Sequence, residues 1–172
     1  MITEMAELRK LCAQYHPRDI YNMDETGLYW KRVPDRSLAI ESVKGIKKAK
    51  DRIIIALTTN TDSSEKLEPW VISKFKNPRC LARVNRRLLG IKYRYNKSKW
   101  MNSVICEEFL RWFDRLMRGR KVLLLMDNFS AHILAAQLTN SELLNTTIAW
   151  LPANTTSHWQ LMDQGIIASY KL

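Results

Sequence analysis

Two runs in this 172-residue chain are apolar at nearly every position rather than at alternate ones: residues 52–59 (RIIIALTT) and 122–126 (VLLLM). Side chains of a strand alternate between the two faces of its sheet, so such runs must be covered on both sides. They belong inside a sheet flanked by helices. The chain supplies those helices. Residues 3–15 carry Met5, Leu8, Leu11 and Cys12 at helical spacing and stop at Pro17. Residues 102–119 carry Ile105, Phe109, Trp112, Phe113 and Leu116 on one face, with Glu107 and Glu108 near the start and Gly119 as a stop. Residues 131–138 and 163–171 read as two more helices, the last with Ile166, Ile167 and Tyr170 inward.

The remaining strands are 19–25, 68–75 and 148–151, with short candidates at 28–30 and 37–40 and turns at Thr26-Gly27 and 60–64. Three strands joined by turns form an antiparallel meander. Helix, strand, helix, strand and helix then follow, which continues the sheet by parallel crossovers. The expected fold is α/β: a mixed sheet, a three-strand antiparallel meander plus two parallel strands, flanked by helices.

Three aspartates lie in apolar stretches where a strand should end or a helix begin: Asp24 in IYNMDETG, Asp127 in KVLLLMDNFSAH and Asp163 in HWQLMDQG. A carboxylate there costs free energy unless something positive meets it. Asp127 or Asp163 alone reads equally well as a helix cap. Three acids from distant parts of the chain point instead to one shared divalent cation, the chemistry of phosphodiester cleavage. Asp24 is followed by Glu25. Alternation lets only one of the two face a given site, and it does not say which.

The formal net charge is +11, and it is localised. Residues 74–99 hold Lys74, Lys76, Arg79, Arg83, Arg86, Arg87, Lys92, Arg94, Lys97 and Lys99 and no acid. Phe75, Tyr93, Tyr95 and Trp100 are interleaved with them, and Leu81, Val84, Leu88, Leu89 and Ile91 predict that the stretch packs against the body. Such a surface would hold phosphates without reading base sequence. Cys12, Cys80 and Cys106 form no CxxC pair, and the scattered histidines His16, His132 and His158 do not suggest a zinc site. No apolar run reaches 18 residues, and the N-terminus does not read as a signal peptide, so the expectation is an intracellular protein with no membrane partner.

Five blocks in order resemble the RNase H-like catalytic domain of DDE-superfamily transposases of the pogo type, which includes Tigger and jerky-like proteins and centromere protein B relatives. They are YNMDETGLYW at 21–30, KAKDRIIIALTTNTD at 48–62, LEPWVIS at 67–73, VLLLMDNFSAH at 122–132 and WLPANTTSHWQLMDQGIIASYK at 150–171. The resemblance implies that Asp24, not Glu25, is the first catalytic acid, with Asp127 and Asp163 as the second and third, 36 positions apart. It implies two Mg2+ (or Mn2+) ions between them, one activating water or a 3′-hydroxyl and the other stabilising the leaving oxygen. Asn128 and His132 match the family's DNxxxH pattern as groups that orient Asp127. Asn154, Thr155, Thr156, Gln160 and Gln164 resemble the residues around the third acid. The implied partner is DNA, transposon ends in the family, with a homodimer compatible with it, and the implied location is the nucleus.

Departures accompany the match. Leu161 and Ala153 stand where family members carry proline, and Asp62-Ser63-Ser64 lacks the usual turn glycine. Residues 1–18 read as an N-terminal helix, the remnant of a linker to a missing DNA-recognition module. Residues 19–172 read as the catalytic domain, C-terminally truncated. The function expected is metal-dependent DNA cleavage and strand transfer. The alternatives are a catalytically silent or domesticated remnant that only binds nucleic acid, and a nuclease of the same fold with no transposon partner.

Overall fold

In a computed structural model, which describes residues 2–30, 51–152, 167 and 169, six strands form one mixed sheet in the order β4-β3-β2-β1-β5-β6. Along the chain the elements are α1 (Ile2–Cys12), β1 (Ile20–Leu28), β2 (Ile53–Asn60), β3 (Trp70–Ser73), β4 (Lys92–Tyr95), α2 (Ser103–Leu116), β5 (Val122–Asp127), α3 (Ser130–Thr139) and β6 (Thr146–Leu151). β1, β2 and β3 form the antiparallel meander, and β5 and β6 extend it by parallel pairing next to β1. No helix among the described residues is long and apolar enough to cross a membrane.

Both faces of the central strands are covered, as their composition demands. One face carries Tyr21, Met23, Ile54, Ala56, Trp70, Ile72, Leu124 and Met126 beneath α2 and α3. Aromatic edges lock this layer: Tyr21 meets Phe113 at 5.3 Å and Trp70 meets Phe109 at 5.6 Å, both edge-on. Truncating a fully buried ring such as Phe109 to alanine should cost about 3–5 kcal/mol. On the other face Leu8, Leu11 and Cys12 of α1 pack on Ile20, Leu123, Leu125, Ala149 and Leu151, while Ile167 packs on Ile55 and Leu57.

Several local expectations are corrected. Thr26-Gly27 does not turn; both residues pair with β2, opposite Ile55 and Ile54, and carry β1 on to Leu28. Gly27 is not among the positive-φ glycines, so its glycine freedom is not used for a turn. The 37–40 candidate lies outside the described residues. The stripe of α2 runs through Cys106, Phe109, Leu110, Phe113 and Met117, which leaves Leu116 exposed at its flank. Glu107 and Glu108 lie beyond the first helical turn and pair with Arg111 and Arg94 rather than with the helix dipole. In the turn after β2, Ser63 takes the left-handed conformation (φ +59°) that a glycine would adopt freely, and Asp62 Oδ1 accepts from the Ser64 N–H and hydroxyl.

The basic stretch adds a strand that local pattern did not announce. β4 (KYRY) pairs in parallel with β3, opposite Trp70, Val71, Ile72 and Ser73, and closes that edge of the sheet. Between them lie two short 3-10 turns, Arg79–Leu81 and Arg86–Leu89. The expected packing of the apolar residues here is only partial: Leu81 and Ile91 are half-buried, but Val84, Leu88 and Leu89 are exposed, Leu88 by 82%.

Candidate active site

Asp24 is the fifth of nine residues in β1, not its end, whereas Asp127 is the last residue of β5. The two strands run parallel, with Ile20 opposite Leu123 and Asn22 opposite Leu125. The pairing spans Ile20 to Asn22; Asp24 follows two residues after Asn22, as Asp127 follows two residues after its partner Leu125. By alternation Asp24 shares a face with Ile20 and Asp127 with Leu125, but Asp127, as the last residue of β5, is also reached by His132 of α3. The residue opposite Asp24 on β2 is Leu57, and the one opposite Asp127 on β6 is Leu151; both are buried. Each carboxylate thus has a buried apolar cross-strand neighbour, and Asp127 stands at the carboxyl end of β5, where α/β sheets hold their ligands.

Glu25 points the other way, into the helical layer, and its role was not foreseen from the sequence. Its Oε1 lies 2.9 Å from His132 Nε2, and its Oε2 accepts from the Met101 N–H at 3.4 Å. His132 Nδ1 lies 2.5 Å from Asp127 Oδ1. The imidazole, only 3% exposed, bridges the two acids from the first turn of α3. Burial works to lower its pKa, but hydrogen bonds to Asp127 and Glu25 and their charges outweigh burial and raise it to about 9. Both ring nitrogens face carboxylate oxygens, so this arrangement favours the imidazolium, in which both N–H groups donate. Burial would raise the Asp127 pKa, but the His132 hydrogen bond and charge and the Phe129 N–H hold it below the usual carboxylate value. The alternating pattern contained a signal for Glu25: an acid sharing a face with Tyr21 and Met23 must find a partner inside.

Of the other candidates, Asn128 is exposed in the short connection from β5 to α3. Asp163 lies outside the described residues, as do Asn154, Thr155, Thr156, Gln160, Gln164, Leu161 and Ala153. In the basic stretch, acids from elsewhere pair with Lys92 (Glu68, 3.0 Å), Arg94 (Glu108) and Lys99 (Asp51, 3.8 Å) among the described residues. Lys74, Arg79, Arg83 and Lys97 are exposed and make no ion pair among the described residues.

Asp24 and Asp127 offer only hard oxygen donors, which suit Mg2+ or Mn2+. His132 spends both ring nitrogens on carboxylates and is not available as a ligand in this arrangement. Among the described residues no three His, Cys, Asp or Glu side chains form a set able to hold a metal, so a complete set needs a donor from beyond them.

Comparison with known proteins agrees with this architecture. Residues 50–172 match the family described as DDE superfamily endonuclease. The chain is 43% identical over 172 residues to CENP-B homolog protein 2 of Schizosaccharomyces pombe, an alignment covering 97% of this chain and 34% of that protein. It is 34% identical over 162 residues to mouse Tigger transposable element-derived protein 4, covering 92% and 30%. The chain thus spans about a third of the length of these relatives. Among solved structures, the Mos1 strand transfer complex matches with a TM-score of 0.59 at 15% identity, over 98% of this chain and 44% of that one. The Mos1 mariner paired-end complex with Mn matches with a TM-score of 0.57 at 14% identity, over 98% and 46%. The fold is the RNase H-like fold of those catalytic domains. A sheet of this topology, a family match over most of the chain and relatives of the CENP-B, Tigger and jerky kinds place it together: the chain belongs to the DDE superfamily endonucleases, among the pogo and Tigger-type transposase relatives.

Proposed function

We propose that this chain is the catalytic domain of a DNA-cleaving and strand-transferring enzyme that uses two Mg2+ or Mn2+ ions held by Asp24, Asp127 and Asp163. What supports this reading is the parallel pairing of β1 with β5, in which Asp24 lies two residues beyond Asn22 and Asp127 two residues beyond Leu125, its partner. Ile167, seated against Leu57 beside Asp24, supports the third position. Asp163 stands four positions before Ile167 in the sequence. When bound, the ions would activate the attacking hydroxyl and neutralise charge on the leaving oxygen. The protein's own contribution is to hold the carboxylates in place, with His132 fixing one oxygen of Asp127. Exposed Lys74, Arg79, Arg83 and Lys97 would hold the DNA backbone, giving salt-sensitive binding with little sequence preference. A nuclear location is part of the same proposal.

The test is nicking of supercoiled plasmid with Mn2+ by the native chain, Asp24→Asn and Asp127→Asn. Nicking by the native chain that both variants lose supports the reading. Equal nicking by all three ends it. A second reading, DNA binding without cleavage, is favoured by Leu161 and Ala153, which stand where the family's prolines would stiffen the approach to Asp163. Salt-sensitive binding with no nicking by any of the three proteins would select it.

A further inference from the structure

We infer that Glu25 is a positioning residue for the metal site: acting through His132, it fixes the orientation of the Asp127 carboxylate. The inference rests on the metal-site reading proposed above.

Glu25 is unusual for its place. Its alternation partners Tyr21 and Met23 are fully buried, and its own side chain is 10% exposed. The fold would accept an apolar residue there at lower cost, because a buried acid must be answered by hydrogen bonds and charge. Here it is answered twice. One oxygen receives the Met101 N–H just before α2, and the other meets His132 Nε2. Glu25 is therefore anchored to β1 by its backbone and to the start of α2 by its side chain, so the oxygen facing the imidazole has a fixed position.

That fixed oxygen removes a freedom from His132. An imidazole held only by Asp127 could pivot about its Cβ–Cγ bond and carry the acid's oxygen with it. With Glu25 on Nε2 and Asp127 on Nδ1, one ring orientation makes both bonds. Phe129 meets the ring edge-on at 5.5 Å and limits tilting. Asp127 is left with Oδ1 tied down and its side chain still 42% exposed. Its orientation is set from behind by a chain that begins on the opposite face of β1, one residue from Asp24. Neighbouring acids of one strand thus take different tasks, Asp24 toward the metal and Glu25 toward the support of its partner.

The experiment measures Mn2+ binding to the full chain by isothermal titration calorimetry, with circular dichroism melts confirming the fold of each variant. Glu25→Ala should weaken binding about 10- to 100-fold, the usual effect of losing a group that orients a ligand. Glu25→Gln keeps an oxygen acceptor at the same reach and should stay within about threefold of the native chain. Glu25→Asp keeps the charge but falls one methylene short and should bind more weakly than Glu25→Gln. That order separates positioning by a hydrogen bond from an effect of charge, and it decides the matter even if Glu25→Ala does not fold. If Glu25→Asp and Glu25→Ala bind Mn2+ like the native chain while Asp24→Asn loses it, the positioning role is overturned and the metal site stands. If Asp24→Asn and Asp127→Asn also bind as the native chain does, the metal-site reading falls and this inference with it.

Discussion

Two carboxylate–cation–carboxylate bridges meet β1, one near its start and one past its middle, and they differ in what they leave open. Near its start, Arg120 donates to Asp19 Oδ1 at 2.7 and 3.0 Å, to Glu65 at 3.0 and 3.2 Å and to the Arg18 carbonyl at 3.2 Å. Glu65 also accepts from the Tyr21 hydroxyl and Arg18. Burial and the Glu65 hydrogen bond push the Tyr21 pKa up, so it remains a donor. The cation is permanent, both acids are less exposed than Asp127, and three connections of the chain are tied together. Further along β1, Glu25, His132 and Asp127 repeat the charge pattern, but the cation is a histidine and the last acid stays 42% exposed. A closed bridge can only hold structure. An open one keeps an oxygen face for something outside the chain.

The largest expected effect tests that contrast directly. Asp127→Asn should reduce Mn2+-dependent nicking by about a hundredfold or more, since even a misplacement of about 1 Å costs that much. It should stay folded with a modest loss of stability, because Asn keeps an oxygen acceptor for His132 but not the charge. Arg120→Ala should do the reverse. It should lose about 2 kcal/mol in urea unfolding, less than a fully buried pair would because its side chain is 32% exposed. Its nicking rate at a temperature where it is folded should match the native chain. Loss of nicking in folded Arg120→Ala would break the comparison.

Asp114 offers a third case, a buried acid answered by backbone rather than by a cation. Its oxygens accept from the N–H groups of Leu144, Asn145 and Thr146 and the Asn145 amide, which ties α2 to the start of β6. Asp114→Ala should cost about 2 kcal/mol by leaving those donors unmet. Burial would raise its pKa, but the hydrogen bonds outweigh burial and hold it below 3.8. A depressed carboxylate contributes stability that is fully present above its unfolded pKa and is lost as pH falls through the folded one. Urea midpoints should therefore show no contribution from Asp114 to pH dependence between pH 7 and about 5, and a loss below about 4 that is smaller in Asp114→Asn.

Cations divide the same way. Replacing exposed Lys74, Arg79, Arg83 and Lys97 by glutamine should weaken DNA binding several-fold and reduce the slope of log affinity against log salt by about 0.9 for each phosphate no longer neutralised. Replacing Lys92, Arg94 and Lys99, which already meet Glu68, Glu108 and Asp51, should change the slope less per charge removed. Equal slopes per charge would show that those ion pairs yield to DNA. The smallest effect is expected at Ser63, whose positive φ is costly for a residue with a Cβ. Ser63→Gly should raise stability by about 0.5–1 kcal/mol, read as a higher melting temperature with nicking unchanged.

Much of this was legible in advance. The doubly apolar runs announced β2 and β5, helical spacing announced α1, α2 and α3, and the meander followed from strands joined by turns. The edge strand β4 was not legible, because four residues alternating lysine, arginine and tyrosine carry no core signal. They are a strand only because the open edge of β3 satisfies their backbone. Nor could the packing of Val84, Leu88 and Leu89 be judged, because apolar composition does not tell whether a surface exists to receive it.

Composition and periodicity by themselves determined that the chain folds as a covered mixed sheet, which acids sit in apolar stretches, and where the positive charge is concentrated. These are properties of a residue and its near neighbours, set by the strand and helix repeats. Only the tertiary structure decided that β5 lies beside β1 with Asn22 opposite Leu125, that Glu25 turns inward to His132, and that Lys92, Arg94 and Lys99 already meet acids. Those facts depend on pairing between segments about a hundred residues apart. Such pairing is chosen by the total burial and hydrogen bonding of the whole sheet, to which no local stretch holds the key.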